Sequence, residues 1–329
     1  MMELIEKLWF LRRDIVSDGF DEALRWIGQK IPLKVHAYPS GDPCWTWTVP
    51  EKWSVGEAFI ETLDGHRLLD VKTHPLHVMS YSLAIHRVVK KEELFRHLHT
   101  NPQRPKAIPF EFKYYQKDWG FCIQHERLAE FTENEYRVVI DSVFEKGALK
   151  VGECVIPGEM QDSIVVVAHL CHPAMVNDDL SGVAVLVDIA QQLQAKSHRH
   201  TFRFVWVPET IGSLAYLSHN EELIPLMRFG IFLEMLGNAN TLALQLSRQG
   251  DTRLDRIMRY VLKKRSGSFR EGSFRKIVCN DEMVFNGPGV NIPMVSLSRY
   301  PYPEYHTSDD SLAIISKDRL EQARDVVLE

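Results

Sequence analysis

Two histidines, two glutamates and an aspartate stand just past short apolar runs in this chain. Together they have the makings of a metal centre with a general base. His169 follows residues 163–168 (SIVVVA), and Glu209 follows residues 202–207 (FRFVWV) after Pro208. Glu234 directly follows residues 229–233 (FGIFL), and His306 comes a short loop after residues 292–298 (IPMVSLS). Asp178 lies in the loop after His169. Imidazole and carboxylate are donors that zinc accepts, and a further carboxylate can take a proton from water. Singly, each residue has an ordinary reading. His169 and His306 suit core or loop positions with satisfied hydrogen bonds. Asp178 can cap a helix that starts at Leu180, but Asp179 suits that role equally, so one can cap while the other binds. Glu209 closes a buried run, where a carboxylate is costly unless solvated, paired or functional. Glu234 is the sharpest: between Leu233 and Met235 an uncompensated charge is expensive, which calls for a partner such as a cation. The joint pattern favours a metal site.

Apolar runs of this length, alternating with helical patterns, predict buried parallel strands. Ligands of an open α/β sheet bind beyond the carboxyl ends of such strands, so the five residues are expected at one edge. Residues 180–194 predict a strong amphipathic helix, with others at 214–220, 252–264 and 319–328. Residues 2–30 predict two helices, with Leu4, Leu8, Leu11 and Ile15 on one face, a break at Ser17-Asp18-Gly19 and Asp21 as the second cap. From residue 36 the stretches CWTWTV, AFIETLDGHRLLDV, HVMSYSLAIHRVV and FEFKYY alternate and are rich in aromatic and β-branched residues, which predicts antiparallel strands. WGFCI and YRVVIDSVF predict two more, residues 91–98 a short helix, and Asp64-Gly65 a hairpin turn. The expected fold is α/β. A mixed, mostly parallel sheet flanked by helices comes from residues 1–35 and 116–329, and a small β-rich domain is inserted at 36–115. Trp45, Trp47, Trp53 and Trp119 are expected to build the core of that insert, which would wall the pocket if it overhangs the strand ends.

The composition narrows the function classes. A chain of 329 residues accommodates two domains, or one large α/β domain with an insertion. Its net charge of −5 argues against a dedicated nucleic-acid binder. No apolar stretch approaches the ~20 residues that span a bilayer, and the opening residues lack the pattern of a signal peptide. Five scattered cysteines form neither a C-x-x-C pair nor a disulfide framework. These features suggest a reduced, cytoplasmic protein without membrane or nucleic-acid partners and with self-association left open. Residues 253–276 carry nine basic and two acidic side chains, which reads first as a solvated helix face and second as a lip for an anionic substrate. Arg299, Tyr302 and Tyr305 precede His306 and are expected to line the pocket, where a tyrosine could donate to a developing oxyanion.

HLCHP…NDDLSGVA, PETIG, FLEML, CNDEMVF and YHTSDD together resemble the catalytic core of zinc aminopeptidases of the bacterial leucyl aminopeptidase type. That clan also holds glutaminyl cyclases and glutamate carboxypeptidases. With WTVPEKW, HPLHVMSYS and YYQKDWGFC added, nearly the whole chain resembles a bacterial family of aminopeptidase-like domain proteins whose function is poorly defined. The resemblance implies that His169 is the first zinc histidine, Asp178 the bridging aspartate, Glu234 the later acidic ligand and His306 the last histidine. It implies that Glu209 is the general base of a zinc-dependent hydrolase cleaving a small amide or peptide. Three features depart from the pattern. Thr210 stands where the clan has a second glutamate, which favours one zinc over two, or an unequal pair. Cys171 stands where the clan has an aspartate orienting the first histidine. The family often continues into a C-terminal winged-helix segment that is not reached here. His172 is outside the clan pattern and stands as a substitute ligand or as a donor behind the ligands. Two alternatives remain open: zinc-dependent amide chemistry of the cyclase or transferase type, and a degenerate binding module, for example in surface-polysaccharide biosynthesis.

Overall fold

A computed structural model describes residues 1–329. At its centre, strand Met160–His169 pairs in parallel with His200–Val207 on one side and with Met227–Leu233 on the other; Met227–Leu233 in turn pairs in parallel with Met294–Ser298. These are the four apolar runs expected to be parallel strands. They lie side by side because each is buried on both faces and so cannot serve as a solvated antiparallel strand. Four further strands complete the eight-stranded sheet, joined by antiparallel pairings except that Arg270–Gly272 pairs in parallel with Ala243–Gln245. Lys34–Pro39 and Ala148–Ile156 lie at one side, Ala243–Gln245 and Arg270–Gly272 at the other. The register sets His169 opposite Val207 and Leu233 opposite Leu297, so the strands end nearly level. That alignment brings residues remote in sequence to one edge.

Helix Leu180–Gln194 packs on this sheet beside helix Lys317–Leu328. Its cap is Asp179, whose Oδ1 accepts the Gly182 N–H at 2.9 Å, and this frees Asp178 for the site. At the N-terminus, helix Met2–Leu8 stops before the predicted Leu11 and Ile15. The reason is Arg13: its buried guanidinium donates to the Leu8 and Trp9 carbonyls, which gives the last turn partners other than further helix. The second helix, Asp18–Gly28, is capped by Ser17 accepting from Phe20 N, while the expected cap Asp21 pairs with Lys150 instead.

A second, four-stranded antiparallel sheet has the order Arg67–Asp70, Lys52–Glu61, Glu135–Glu145, Ile85–Lys90. The boundaries of the inserted unit therefore differ from 36–115. Glu135–Glu145 is central in the small sheet, and Lys34–Pro39 belongs to the large one. Alternating side chains identify a strand, but the same pattern fits either sheet, and only pairing decides which accepts it. The FEFKYY stretch forms no regular strand, and WGFCI contributes only Phe121–Cys122. The expected short helix is confined to Lys91–Leu94. The hairpin at Asp64-Gly65 forms, with Gly65 at φ +93°. Of the tryptophans, Trp53 is buried and stacks on Tyr81 and Trp119 is half-buried against the core, whereas Trp45 and Trp47 are 40% and 39% exposed, so the expected tryptophan core reduces to Trp53 and Trp119. Helix Arg253–Ser266 has a solvated basic face, where Arg259 pairs with Glu271 and both Lys264 and Arg265 pair with Glu329. No helix is long and apolar enough to cross a membrane.

Candidate metal centre

Three imidazoles converge on one carboxylate beyond the central strand ends. His169 Nε2 lies 3.1 Å from Asp178 Oδ1, His172 Nδ1 3.7 Å from the same oxygen, and His306 Nε2 3.2 Å from Asp178 Oδ2. Two overlapping trios have donor atoms within 4.8 Å of one another: His172, Asp178 and His306, and His169, Cys171 and His172. Glu209 faces this group with Oε2 3.3 Å from His172 Nε2, and its side chain remains 22% exposed toward the approach. Glu234 is fully buried nearby but stands outside both trios; its Oε2 accepts from Asn280 Nδ2 at 2.7 Å.

The backbone here is bent out of its easy range. Five of the nine non-glycine residues with positive φ surround the site: His172, Ala174, Thr210, Met235 and His306. Each such residue costs of the order of 1–3 kcal/mol and persists only where its surroundings enforce it. Thr210, β-branched at φ 59°, is the most strained type for that region. Asp281 enforces it, accepting Thr210 N at 3.0 Å and Ser213 Oγ at 2.5 Å.

Close approach does not satisfy these groups. Both ring nitrogens of His169 and of His172, His306 Nε2, Asp178 Oδ2 and Glu234 Oε1 are buried without a well-formed hydrogen bond. Buried polar atoms are normally paired, so a cluster of donors with lone pairs aimed at one another is what a cation would satisfy. The donor set, imidazole nitrogen with carboxylate oxygen, fits zinc. The electrostatics agree. Burial opposes charge on Asp178, yet the surrounding histidines hold its carboxyl well below the ordinary range. Burial lowers His169, but Asp178 and Cys171 beside it carry it well above the usual imidazole value, and Asp178 likewise raises His306. Burial raises Glu209, while His172 brings it down overall, which favours the ionised form a base requires. Glu234 is pushed well above its ordinary value by burial and by neighbouring Glu282.

Several supporting residues lay outside the sequence reading. Asp310 accepts the backbone N–H groups of Val176, Asn177 and Asp178, along with the Tyr302 hydroxyl, and so fixes the loop that presents Asp178. Arg13 donates to the carbonyls of Leu170, His172 and Met175, and so fixes the loop that presents His172. Phe110, from the stretch that follows the small sheet's strand Ile85–Lys90, donates its N–H to His306 O and sets its ring edge-on to His172 and His306. Asp281 and Asp310 fall in the motifs CNDEMVF and YHTSDD, which could have marked them; Arg13 and Phe110 carried no local signal. The pocket expectations need two corrections. Arg299 is buried away from the site, donating to Leu236 O and Gln322 Oε1, because its reach ties the strand end to the last helix. The Tyr302 hydroxyl is committed to Asp310 rather than free for an oxyanion. Tyr305 does lie at the site, stacked on His306 with ring centroids 3.9 Å apart. Cys171 Sγ accepts the Glu209 N–H at 3.1 Å, and Asp179 also accepts Met235 N, so both brace the edge.

Residues 2–329 match the family described as "Domain of unknown function (DUF4910)". The chain belongs to this family. A relative from Clostridium acetobutylicum, provisionally named a polysaccharide biosynthesis protein with an aminopeptidase-like domain, is 36% identical over 328 residues, covering 99% of this chain and 75% of its own length. A crystal structure from the same organism, provisionally named a peptidase, superposes with a TM-score of 0.95 at 35% identity, over 99% of this chain and 78% of that one. A zinc aminopeptidase from Bacillus subtilis superposes with a TM-score of 0.67 at 16% identity, over 99% and 93% of the two chains, which establishes a shared fold. The chain is thus an aminopeptidase-like α/β protein with a candidate metal cluster at its strand ends.

Proposed function

We propose that the protein is a zinc-dependent hydrolase of a small amide or peptide, with His169, Asp178, Glu234 and His306 toward the metal and Glu209 as general base. The observation that carries this reading is the set of unsatisfied donors around Asp178, with one partly exposed carboxylate facing it. Bound zinc would supply Lewis acidity, polarising the amide carbonyl and activating water. Glu209, held ionised beside His172, takes the proton of the attacking water and returns it to the leaving amine. Phe110 and Tyr305 wall the approach and select small substrates. The aminopeptidase-like fold favours substrates with a free amino group.

Metal content per chain, measured without added metal, tests the centre, and small amide libraries scored for both hydrolysis and cyclisation test the reaction. In Glu209→Gln, zinc content is expected to stay at the wild-type level while turnover falls ~10²–10⁴-fold. Turnover retained in that variant removes Glu209 from the base role. Absence of zinc even after reconstitution favours a binding module.

A further inference from the structure

We propose that His172 is itself a metal ligand, holding a divalent cation together with Asp178 and His306; this rests on the metal-dependent reading above. The donor atoms of these three side chains lie within 4.8 Å of one another, close enough to share one ion. The two nitrogens of the His172 ring have different outlooks. Nδ1 faces Asp178 Oδ1 at 3.7 Å, and Nε2 faces Glu209 Oε2 at 3.3 Å. A ligating histidine characteristically binds through one nitrogen and donates its other N–H to a carboxylate, and this ring is posed for that arrangement. Neither nitrogen has a well-formed hydrogen bond, although the residue is only 1% exposed. A histidine placed for packing alone would have its nitrogens satisfied.

The surroundings hold the ring in place. The His172 backbone sits at φ +80°, and its carbonyl accepts from Arg13 Nη2 at 2.6 Å. Arg13 also grips Leu170 and Met175, so the loop is clamped on both sides of His172. The Phe110 ring closes the remaining face at 5.1 Å between centroids. Two imidazoles and one carboxylate with open positions suit zinc or another late first-row divalent ion. The rival role is a donor that only orients Glu209.

The test titrates metal-free wild-type protein, His172→Ala and Glu209→Gln with Zn²⁺ against a chromophoric chelator, and records the visible spectrum of each with Co²⁺. His172→Ala is expected to weaken zinc by well over ~100-fold and to change the cobalt bands, whereas Glu209→Gln, which alters only the acceptor behind the ring, costs about 10-fold and leaves the cobalt bands in place. His172→Ala that binds both ions as wild type does overturns the assignment and leaves the metal-dependent reading standing. Wild-type protein that binds neither ion defeats both. Should His172→Ala not fold, anomalous diffraction from zinc-loaded wild-type crystals decides: a zinc peak ~2.0–2.1 Å from His172 Nδ1 supports the assignment, and one with no His172 nitrogen in reach overturns it.

Discussion

Two buried carboxylates, Glu153 on a strand of the large sheet and Asp178 in the loop past its central strand, each meet imidazole, and the two are treated differently. Glu153, on strand Ala148–Ile156, takes His36 Nε2 at 2.8 Å on one oxygen, and Arg203 Nη1 at 2.7 Å and the Tyr216 hydroxyl at 2.6 Å on the other. Burial raises its pKa, but His36, Tyr216 and Arg203 more than offset that and bring it to about 2. Both carboxylate oxygens are in use. Asp178 is at least as buried and faces three histidines, yet its Oδ2 and the nitrogens around it lack well-formed hydrogen bonds. A satisfied buried network serves to lock strands together. An unsatisfied one, in a fold that has enforced strained backbone to build it, is arranged for something that binds.

The largest separation between the two clusters should come from neutralising each carboxylate. Asp178→Asn is expected to cost zinc about one ligand's share of a structural zinc's binding energy, roughly 3–4 kcal/mol or ~10²–10³-fold in affinity. Near-wild-type zinc affinity in that variant would erase the distinction. Glu153→Gln should leave zinc affinity alone and lower unfolding stability by about 3 kcal/mol, because Arg203 loses its buried counter-charge; urea denaturation measures this. The sign of the Glu153 effect with pH follows from its depressed value. Its stabilisation is full above the unfolded glutamate pKa of about 4.3 and is lost as pH falls toward about 2. In wild type, acid unfolding should therefore steepen in that window, and in Glu153→Gln it should not.

Zinc affinity itself is the next comparison. His169 and His306 are raised in the metal-free protein, so protons compete with metal up to a higher pH than for ordinary histidine. Affinity is expected to fall as pH drops, by up to ~10-fold per unit for each proton displaced, with protons released on binding. Chelator competition at several pH values checks this, and a flat profile contradicts it. The smallest effect is expected from Thr210→Glu, which adds a carboxylate beside the cluster and should tighten zinc by less than ~10-fold, since the strained backbone at 210 limits its reach. Weaker binding there would place position 210 away from the metal.

Much of the site was legible because strand ends are legible. Runs such as SIVVVA and FGIFL announce buried parallel strands, and topology then requires His169, Glu209 and Glu234 to share an edge. What was not legible depended on direction and partner. The sequence left Asp178 and Asp179 interchangeable as cap and ligand; the Gly182 hydrogen bond assigned the cap to Asp179. Arg299 looked like a pocket residue by proximity to His306, but its side chain runs the other way.

By itself, then, the sequence determined the α/β character, the four parallel strands and the donor types at their ends, since burial pattern and residue chemistry are local properties written along the chain. The tertiary structure alone decided which sheet takes Glu135–Glu145 and that Phe110 covers the site. It alone brought His172 toward Asp178 and clamped its loop with Arg13, from the far end of the chain. Those outcomes depend on pairing and on contacts between distant segments, and the energy of a contact belongs to neither partner until both are in place.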